Sequence, residues 1–195
     1  MGQYYMPAII DKINQVKTLY AHDFDNGLKL TEHSWIGNYF VNAVISLIYK
    51  NPRKVAWIGD YSDDQLGDAY EKKIQRDDFM RYYEMVWNQE SNQLPRGKFT
   101  ERDTTILEHD TVNMYIVNNS MQQYIDIGKY IKNNTYDGWC VNPLPILTAC
   151  GNGRGGGDYR GINSDMVGSW AFDLIEYTDT VPESYKEINY NFRDE

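Results

Sequence analysis

The sequence predicts an α+β domain with a mixed, mostly antiparallel sheet and two main helices on one side. Helix-like and strand-like segments are mixed in the first half of the chain, whereas the second half is mostly strand-like. The chain lacks the regular alternation of strand and helix that a doubly wound fold would show. With 195 residues, 42% hydrophobic and 24% charged, it fits a single globular domain spanning residues 1–195.

The first fifty residues predict a hairpin followed by a helix. Residues 4–10 and 15–21 carry the aromatic and β-branched bias of strands, and a short polar segment joins them. Apolar residues then recur at spacings of three and four from Ile36 to Ile48. This periodicity predicts an amphipathic helix, and Ser34 is its expected N-cap.

The middle of the chain predicts a strand, a second helix and a loop. Residues 54–61 indicate a short buried strand, and residues 68–88 indicate a helix with one heavily charged face. Residues 89–104 are polar and contain proline and glycine, which predicts a long, mobile surface loop. The pattern then turns to strands, predicted at residues 111–117, 122–127, 138–149, 168–177 and 185–192.

The charge and the cysteine content exclude several classes of protein. A net charge of −9 disfavours binding to a nucleic-acid backbone, which requires clustered Lys and Arg. We expect neither membrane insertion nor export, because no apolar run approaches the length of a membrane span and the N-terminus lacks a signal-peptide pattern. Two cysteines are too few for a disulfide framework, so the expected location is cytoplasmic. We expect no cofactor and no metal.

A glycine-rich run from Gly151 to Gly161 is the most unusual segment, with six glycines and two arginines. It precedes no predicted helix and lacks a Gly-Lys-Ser or Gly-Lys-Thr sequence, so neither common nucleotide motif fits. Its backbone N–H groups could form an anion-binding nest, or the run could be a hairpin connection whose arginines pair with nearby carboxylates. The candidate ligand-binding residues are Gly153, Arg154, Gly155, Gly156, Gly157, Asp158 and Arg160.

A second group of polar residues begins at His22 and ends with Asp60 after the predicted buried strand. Imidazoles and carboxylates together could form a metal site or an acid/base pair. The wide separation of His22 from His33 differs from metallohydrolase motifs, and Asp25-Asn26-Gly27 is also a strong turn signal. The candidate catalytic residues are His22, Asp25, His33 and Asp60.

Several segments together resemble a family of uncharacterised proteins from bacteria and their phages. These are the MGQYY start, the segment HDFDNGLKLTEHS at residues 22–34 and the segment GNGRGGGDY at residues 151–159. The resemblance spans nearly the whole chain. It implies membership of that family and brings no activity, cofactor or catalytic residue with it.

The composition favours a binding function over catalysis. The chain contains 17 Tyr and 5 Trp, and amphipathic rings of this kind suit contact surfaces and ligand pockets. With no strong catalytic motif, we expect a small soluble binding protein for a host protein or an anionic small molecule, for example a phage or mobile-element factor that inhibits a host defence protein. The alternative is a metal-dependent or acid/base hydrolase of a phosphorylated or nucleotide-like substrate, which requires the His22 segment to lie beside the glycine-rich run.

Overall fold

The computed structural model describes residues 2–62, 73–109, 113–151 and 158–192, and gives the backbone alone for residues 106–109. It confirms the α+β class, because this part of the chain combines one mixed, mostly antiparallel sheet of eight strands with six α-helices. The strands are β1 (Tyr5–Ile10), β2 (Val16–Lys17), β3 (Arg53–Gly59), β4 (Tyr115–Asn118), β5 (Gln123–Asp126), β6 (Ala149–Cys150), β7 (Leu174–Thr178) and β8 (Lys186–Glu187). The helices are α1 (Leu30–His33), α2 (Tyr39–Ile48), α3 (Arg76–Trp87), α4 (Glu101–His109), α5 (Ile127–Asn134) and α6 (Pro143–Thr148).

The sheet is organised around β1 and β3. Its strand order is β2-β1-β3-β7-β4-β5-β8, and β6 pairs with β3 outside this path. Strand β3 is antiparallel to β1, with Trp57 opposite Pro7. The other edge of β3 is divided between two partners, since β7 pairs at Arg53 and Lys54 and β6 runs parallel beside Trp57. All six residues of β1 are buried, so both of its faces are covered by the rest of the protein.

The hairpin predicted near the start of the chain is confirmed, and two of the later predicted strands form a second hairpin. Strands β1 and β2 pair antiparallel, and the Asp11 carboxylate accepts hydrogen bonds from the backbone N–H groups of Ile13 and Gln15 in the connecting turn. Strands β4 and β5 pair across a turn in which the Asn118 side chain accepts from the Met121 N–H group. Such side-chain bonds to nearby backbone are the reason Asp and Asn favour turns.

The two longest helices in the described residues, α2 and α3, are the two that the sequence predicts. Helix α2 begins later than expected because Asn38, rather than Ser34, is its N-cap: the Asn38 side chain accepts from the Val41 N–H group at 3.1 Å. The Ser34 hydroxyl donates instead to the Leu30 carbonyl oxygen. Helix α3 occupies the later part of the predicted segment, and residues 68–72 lie outside the described residues.

The strand prediction for residues 138–149 is wrong for most of its length, because residues 143–148 form α6. Asn142 caps this helix by accepting from the Leu144 N–H group, and Pro143 occupies the first turn. Proline suits that position because its ring presets the helical φ angle and an N–H group there would have no partner within the helix. Only Ala149 and Cys150 form a strand.

The predicted surface loop at residues 89–104 is also partly wrong. Helix α4 begins inside it at Glu101, because Thr100 and Asp103 form reciprocal hydrogen bonds between side chain and backbone at its start. Short 3-10 turns occupy Glu90–Asn92 and Arg96–Lys98. The mobility of this segment stays a prediction.

Helix α5 was not predicted from the sequence, and the last two predicted strands are shorter in the structure. Asp126 caps α5 through the Lys129 N–H group. Strand β7 begins only at Leu174, and β8 comprises two residues. No helix among the described residues has the length and apolar character needed to cross a membrane.

Candidate functional site

A surface cavity of about 500 Å³ lies between α1 with the segment that follows it and the connection from α5 to α6. We call it the Trp cleft, because Trp35, Tyr136 and Trp139 form its aromatic walls. Tyr136 and Trp139 are 59% and 66% exposed, which is unusual for side chains of this size. The remaining lining residues are Thr31, Ser34, Asn134, Asp137, Cys140, Val141 and Phe192.

Tyr136 and Trp139 are held by a minimal hairpin. Each residue donates its backbone N–H group to the carbonyl oxygen of the other at 2.8 Å, and only Asp137 and Gly138 lie between them. Both of these residues have positive φ angles, 47° and 81°, as a type I′ turn requires. Directly paired residues of a hairpin project from the same face, so the turn places both rings on one side.

Long-range backbone pairing places Trp35 beside the Tyr136–Trp139 hairpin. Trp35 forms an antiparallel bridge with Val141, in which the Ile36 N–H group donates to the Cys140 carbonyl oxygen and Asn142 donates to Ser34. The Trp35 and Trp139 rings lie 5.9 Å apart, centroid to centroid, at an interplanar angle of 78°. The two indoles therefore meet edge to face and form a corner rather than a flat platform.

The charge of the Trp cleft is negative. Among the described residues, Asp137 is the only charged side chain in the lining, and none of their basic side chains forms an ion pair with it. Aromatic faces carry a negative quadrupole, so cations are attracted to them, most strongly to Trp. A corner of indole rings beside an exposed carboxylate can bind a compact cationic group.

Two further cavities adjoin the Trp cleft. One of about 380 Å³ shares the wall of Trp35 and also contacts Asp25, Tyr39 and Arg96. The next, of about 350 Å³, shares Tyr39 and Arg96 and extends to Glu101. The three cavities are therefore linked in series by the residues that they share in their linings.

The candidate catalytic residues His22 and Asp25 belong to the 3-10 turn Ala21–Phe24 and its C-cap. His22 is exposed and stacks on Tyr20 with ring centroids 5.0 Å apart. Asp25 has a left-handed φ angle of 58°, and its N–H group donates to the carbonyl oxygens of Ala21 and His22. This is the turn-forming role that the sequence left open, and the Asp25 side chain lines the 380 Å³ cavity.

His33 is a core residue with no access to solvent. One ring nitrogen, Nδ1, lies 3.0 Å from the Gly27 carbonyl oxygen, and Nε2 accepts from the Trp57 indole N–H group at 3.1 Å. These partners require the neutral tautomer that carries its proton on Nδ1. Burial lowers the pKa of His33 from 6.5 to about 4. His33 therefore joins structural elements and does not support acid/base catalysis.

Asp60 and Asp158 lie near the ends of the central strands. The Asp60 carboxylate accepts from the Tyr4 N–H group, and Asp158 accepts from the Tyr5 hydroxyl at 2.7 Å. Asp158 and Arg160 line a cavity of about 310 Å³ together with Tyr5 and Gly151. Neither His22 nor Asp25 lines this cavity. The candidates Gly153, Arg154, Gly155, Gly156 and Gly157 lie outside the described residues.

The described residues contain no group of three His, Cys, Asp or Glu side chains that could hold a metal ion. Both cysteines are free and buried. Burial raises the pKa of the Cys140 thiol to about 11 and also raises that of Cys150. A reactive thiolate requires the opposite shift.

Comparisons with known proteins found no matching family model, no matching curated protein and no matching solved structure. The function of the candidate site must therefore be inferred from its geometry.

Sequence reasoning missed the Trp cleft. One signal was present, because Asp137-Gly138 between two aromatic residues is the typical sequence of a two-residue hairpin. The contact of this hairpin with Trp35 could not be predicted, because more than a hundred residues separate the two segments in the chain.

Proposed function

We propose that this protein is a binding protein that recognises a cationic group, an ammonium or a guanidinium, in the Trp cleft. The observation that carries the proposal is the perpendicular pair of Trp35 and Trp139, with Tyr136 and the exposed carboxylate of Asp137 beside it. Aromatic cages of this composition bind quaternary and basic ammonium groups through cation–π attraction.

The shape and the charge of the cleft favour a cation over a sugar or an anion. Flat pyranose rings stack on open aromatic platforms, whereas the 78° angle between the indoles encloses a rounder group. An anion would meet the Asp137 carboxylate and no Lys or Arg in the described lining. The net charge of −9 further raises the local concentration of cations.

The hydrolase alternative has less support. It requires several titratable groups around one substrate, but His33 lies in the core and His22 and Asp60 line none of the cavities described above. An anionic ligand at the glycine-rich run stays a prediction, because residues 152–157 lie outside the described residues. A cytoplasmic location fits the two free cysteines.

Titration with tetramethylammonium chloride tests the proposal, with tert-butanol as a neutral probe of the same shape and sodium chloride as the ionic-strength control. We expect saturable binding of tetramethylammonium, seen by calorimetry and by tryptophan fluorescence, and much weaker binding of tert-butanol. A cation–π contribution of about 1 kcal/mol corresponds to roughly fivefold discrimination between the two probes.

Two variants locate the site. Trp139→Ala removes an exposed ring and Asp137→Asn removes the charge, and each should weaken tetramethylammonium binding about fivefold or more. The matched controls are Tyr4→Ala, an aromatic residue 43% exposed outside the cleft, and Glu183→Gln, the same change of charge on another surface. Equal binding of both probes, or equal loss in the controls, would overturn the proposal.

A further inference from the structure

The Trp cleft is larger than a single ammonium group requires, and it does not end at Trp35. Its volume is about 500 Å³, and the cavities of about 380 and 350 Å³ continue from it along the surface. Trp35 forms part of the first junction, and Tyr39 with Arg96 forms the second. We call the three cavities together the binding groove.

The negative charge continues along the binding groove. Asp137 lines its first cavity, Asp25 its second and Glu101 its third, against one positive side chain among the described residues, Arg96. Arg96 lies over the Phe24 ring, 5.5 Å from the ring centroid, and forms no ion pair with Asp25 or Glu101. Three carboxylates against one guanidinium leave the groove with a net negative charge.

Aromatic side chains also recur along the groove. Trp139 and Trp35 line the first cavity, and Tyr39, 44% exposed, stands between the second and third. Alternating aromatic and acidic groups along a groove complement a chain that alternates apolar surface with positive charge. A single small cation would occupy only one of the three cavities.

We propose that the binding groove takes an extended, basic segment of a partner protein, with one Lys or Arg side chain in the Trp cleft and a second beside Asp25. This inference rests on the proposed function for the first of these two contacts and adds the second. The size of the groove favours a polypeptide over a linear polyamine, whose thin chain would leave much of the three cavities empty. Two linked contacts raise the affinity only when the linker spans both sites.

Peptides with two lysines separated by glycine spacers of increasing length test this geometry. We expect one range of spacer lengths to bind at least tenfold more tightly than a peptide in which one lysine is replaced by glutamine. Spermidine, a linear polycation without a peptide backbone, should bind more weakly than the best peptide. Binding should weaken as salt concentration rises.

Asp25→Asn separates this inference from the proposed function. The variant should remove most of the advantage of the two-lysine peptide, while tetramethylammonium binding in the Trp cleft stays unchanged. Glu183→Gln, which makes the same change of charge outside the groove, should leave both affinities unchanged. Asn also favours turns, so the Asp25 backbone conformation is retained.

The outcomes are distinguishable. If tetramethylammonium binds and no two-lysine peptide exceeds the single-lysine peptide, the extended groove is refuted and the proposed function stands. If spermidine equals the best peptide, the partner is not a polypeptide and the inference is overturned. If neither tetramethylammonium nor the peptides bind, the proposed function and the inference both fail.

Discussion

Acidification from pH 7 to pH 5 should lower the free energy of unfolding by about 2 kcal/mol through His33 alone. The His33 ring is fully buried between the Gly27 carbonyl oxygen and the Trp57 indole N–H group. A proton added to Nε2 would point a second donor at the Trp57 N–H group and break that hydrogen bond. The folded protein therefore resists protonation of His33.

The magnitude follows from the two pKa values of His33. Burial lowers the pKa from 6.5 to about 4, although the hydrogen bond to Gly27 and the charge of Glu32 act in the opposite direction. The unfolded chain binds the proton first, so this contribution is fully present above about pH 6.5 and declines as the pH falls towards 4. The complete loss amounts to about 3 kcal/mol, at about 1.4 kcal/mol per pKa unit.

Urea denaturation at a series of pH values measures this loss, with His33→Asn as the comparison. The Asn amide can still donate to the Gly27 carbonyl oxygen but does not titrate, so the variant should be less stable at pH 7 and show a flatter pH dependence. His22→Asn makes the same substitution at an exposed histidine and is the matched control. Equal pH dependence in wild type and His33→Asn would refute the reasoning. An NMR titration of the wild-type imidazole that gave a pKa near 6.5 for His33 would refute it as well.

Two further substitutions test the local geometry. Gly138→Ala should destabilise the protein by about 1 kcal/mol and weaken tetramethylammonium binding, because alanine is strained at a φ of +81° although its Cβ would meet no neighbour. Gly97→Ala, where the Cβ also has open space and the φ angle is ordinary, should leave the unfolding free energy nearly unchanged. Trp57→Phe should destabilise the protein by about 3 kcal/mol through lost packing and the unpaired His33 Nε2, and should raise the pKa of His33 by removing the opposing donor. Chemical denaturation, calorimetry and the NMR titration of His33 measure these effects, and a larger loss for Gly97→Ala than for Gly138→Ala would contradict the turn assignment.

Local patterns predicted much of the fold. The spacing of apolar residues located α2 and α3, and the turn-forming residues between strand-like segments located the hairpins β1–β2 and β4–β5. These elements are formed by residues close together in the chain. Their signals survive in the sequence because burial of one face or formation of a tight turn directly requires particular residue types.

The predictions are wrong at positions where capping or tertiary contacts determine the structure. Pro143 and Pro145 lie inside the predicted strand 138–149, but after the N-cap Asn142 they occupy the first turn of a helix. Ser34 fits the N-cap preference as well as Asn38 does, and only the positive φ angle of Gly37 and the pairing of Trp35 with Val141 place the helix start at Tyr39.

In the candidate site, too, the local features could be predicted from the sequence and the long-range contacts could not. The Asp137-Gly138 turn is readable from the sequence, whereas the pairing that brings Trp35 to Trp139 depends on the fold. The opposite occurs at His33, where the sequence indicated a functional role that the structure does not support. A histidine among carboxylates is typical of catalytic and metal-binding sites. In the structure the two ring nitrogens of His33 form hydrogen bonds within the core, one with the Gly27 carbonyl oxygen and one with the Trp57 indole N–H group.

The most direct test of the cation-binding proposal is an NMR titration of the five tryptophan indole N–H signals with tetramethylammonium chloride. Trp35 and Trp139 line the cleft, whereas Trp57 and Trp170 are fully buried elsewhere. We predict saturable shifts of the Trp35 and Trp139 signals, with the Trp57 and Trp170 signals unchanged and tert-butanol producing much smaller shifts. Unchanged Trp35 and Trp139 signals at saturating tetramethylammonium would contradict the proposal, as would equal shifts with the neutral probe.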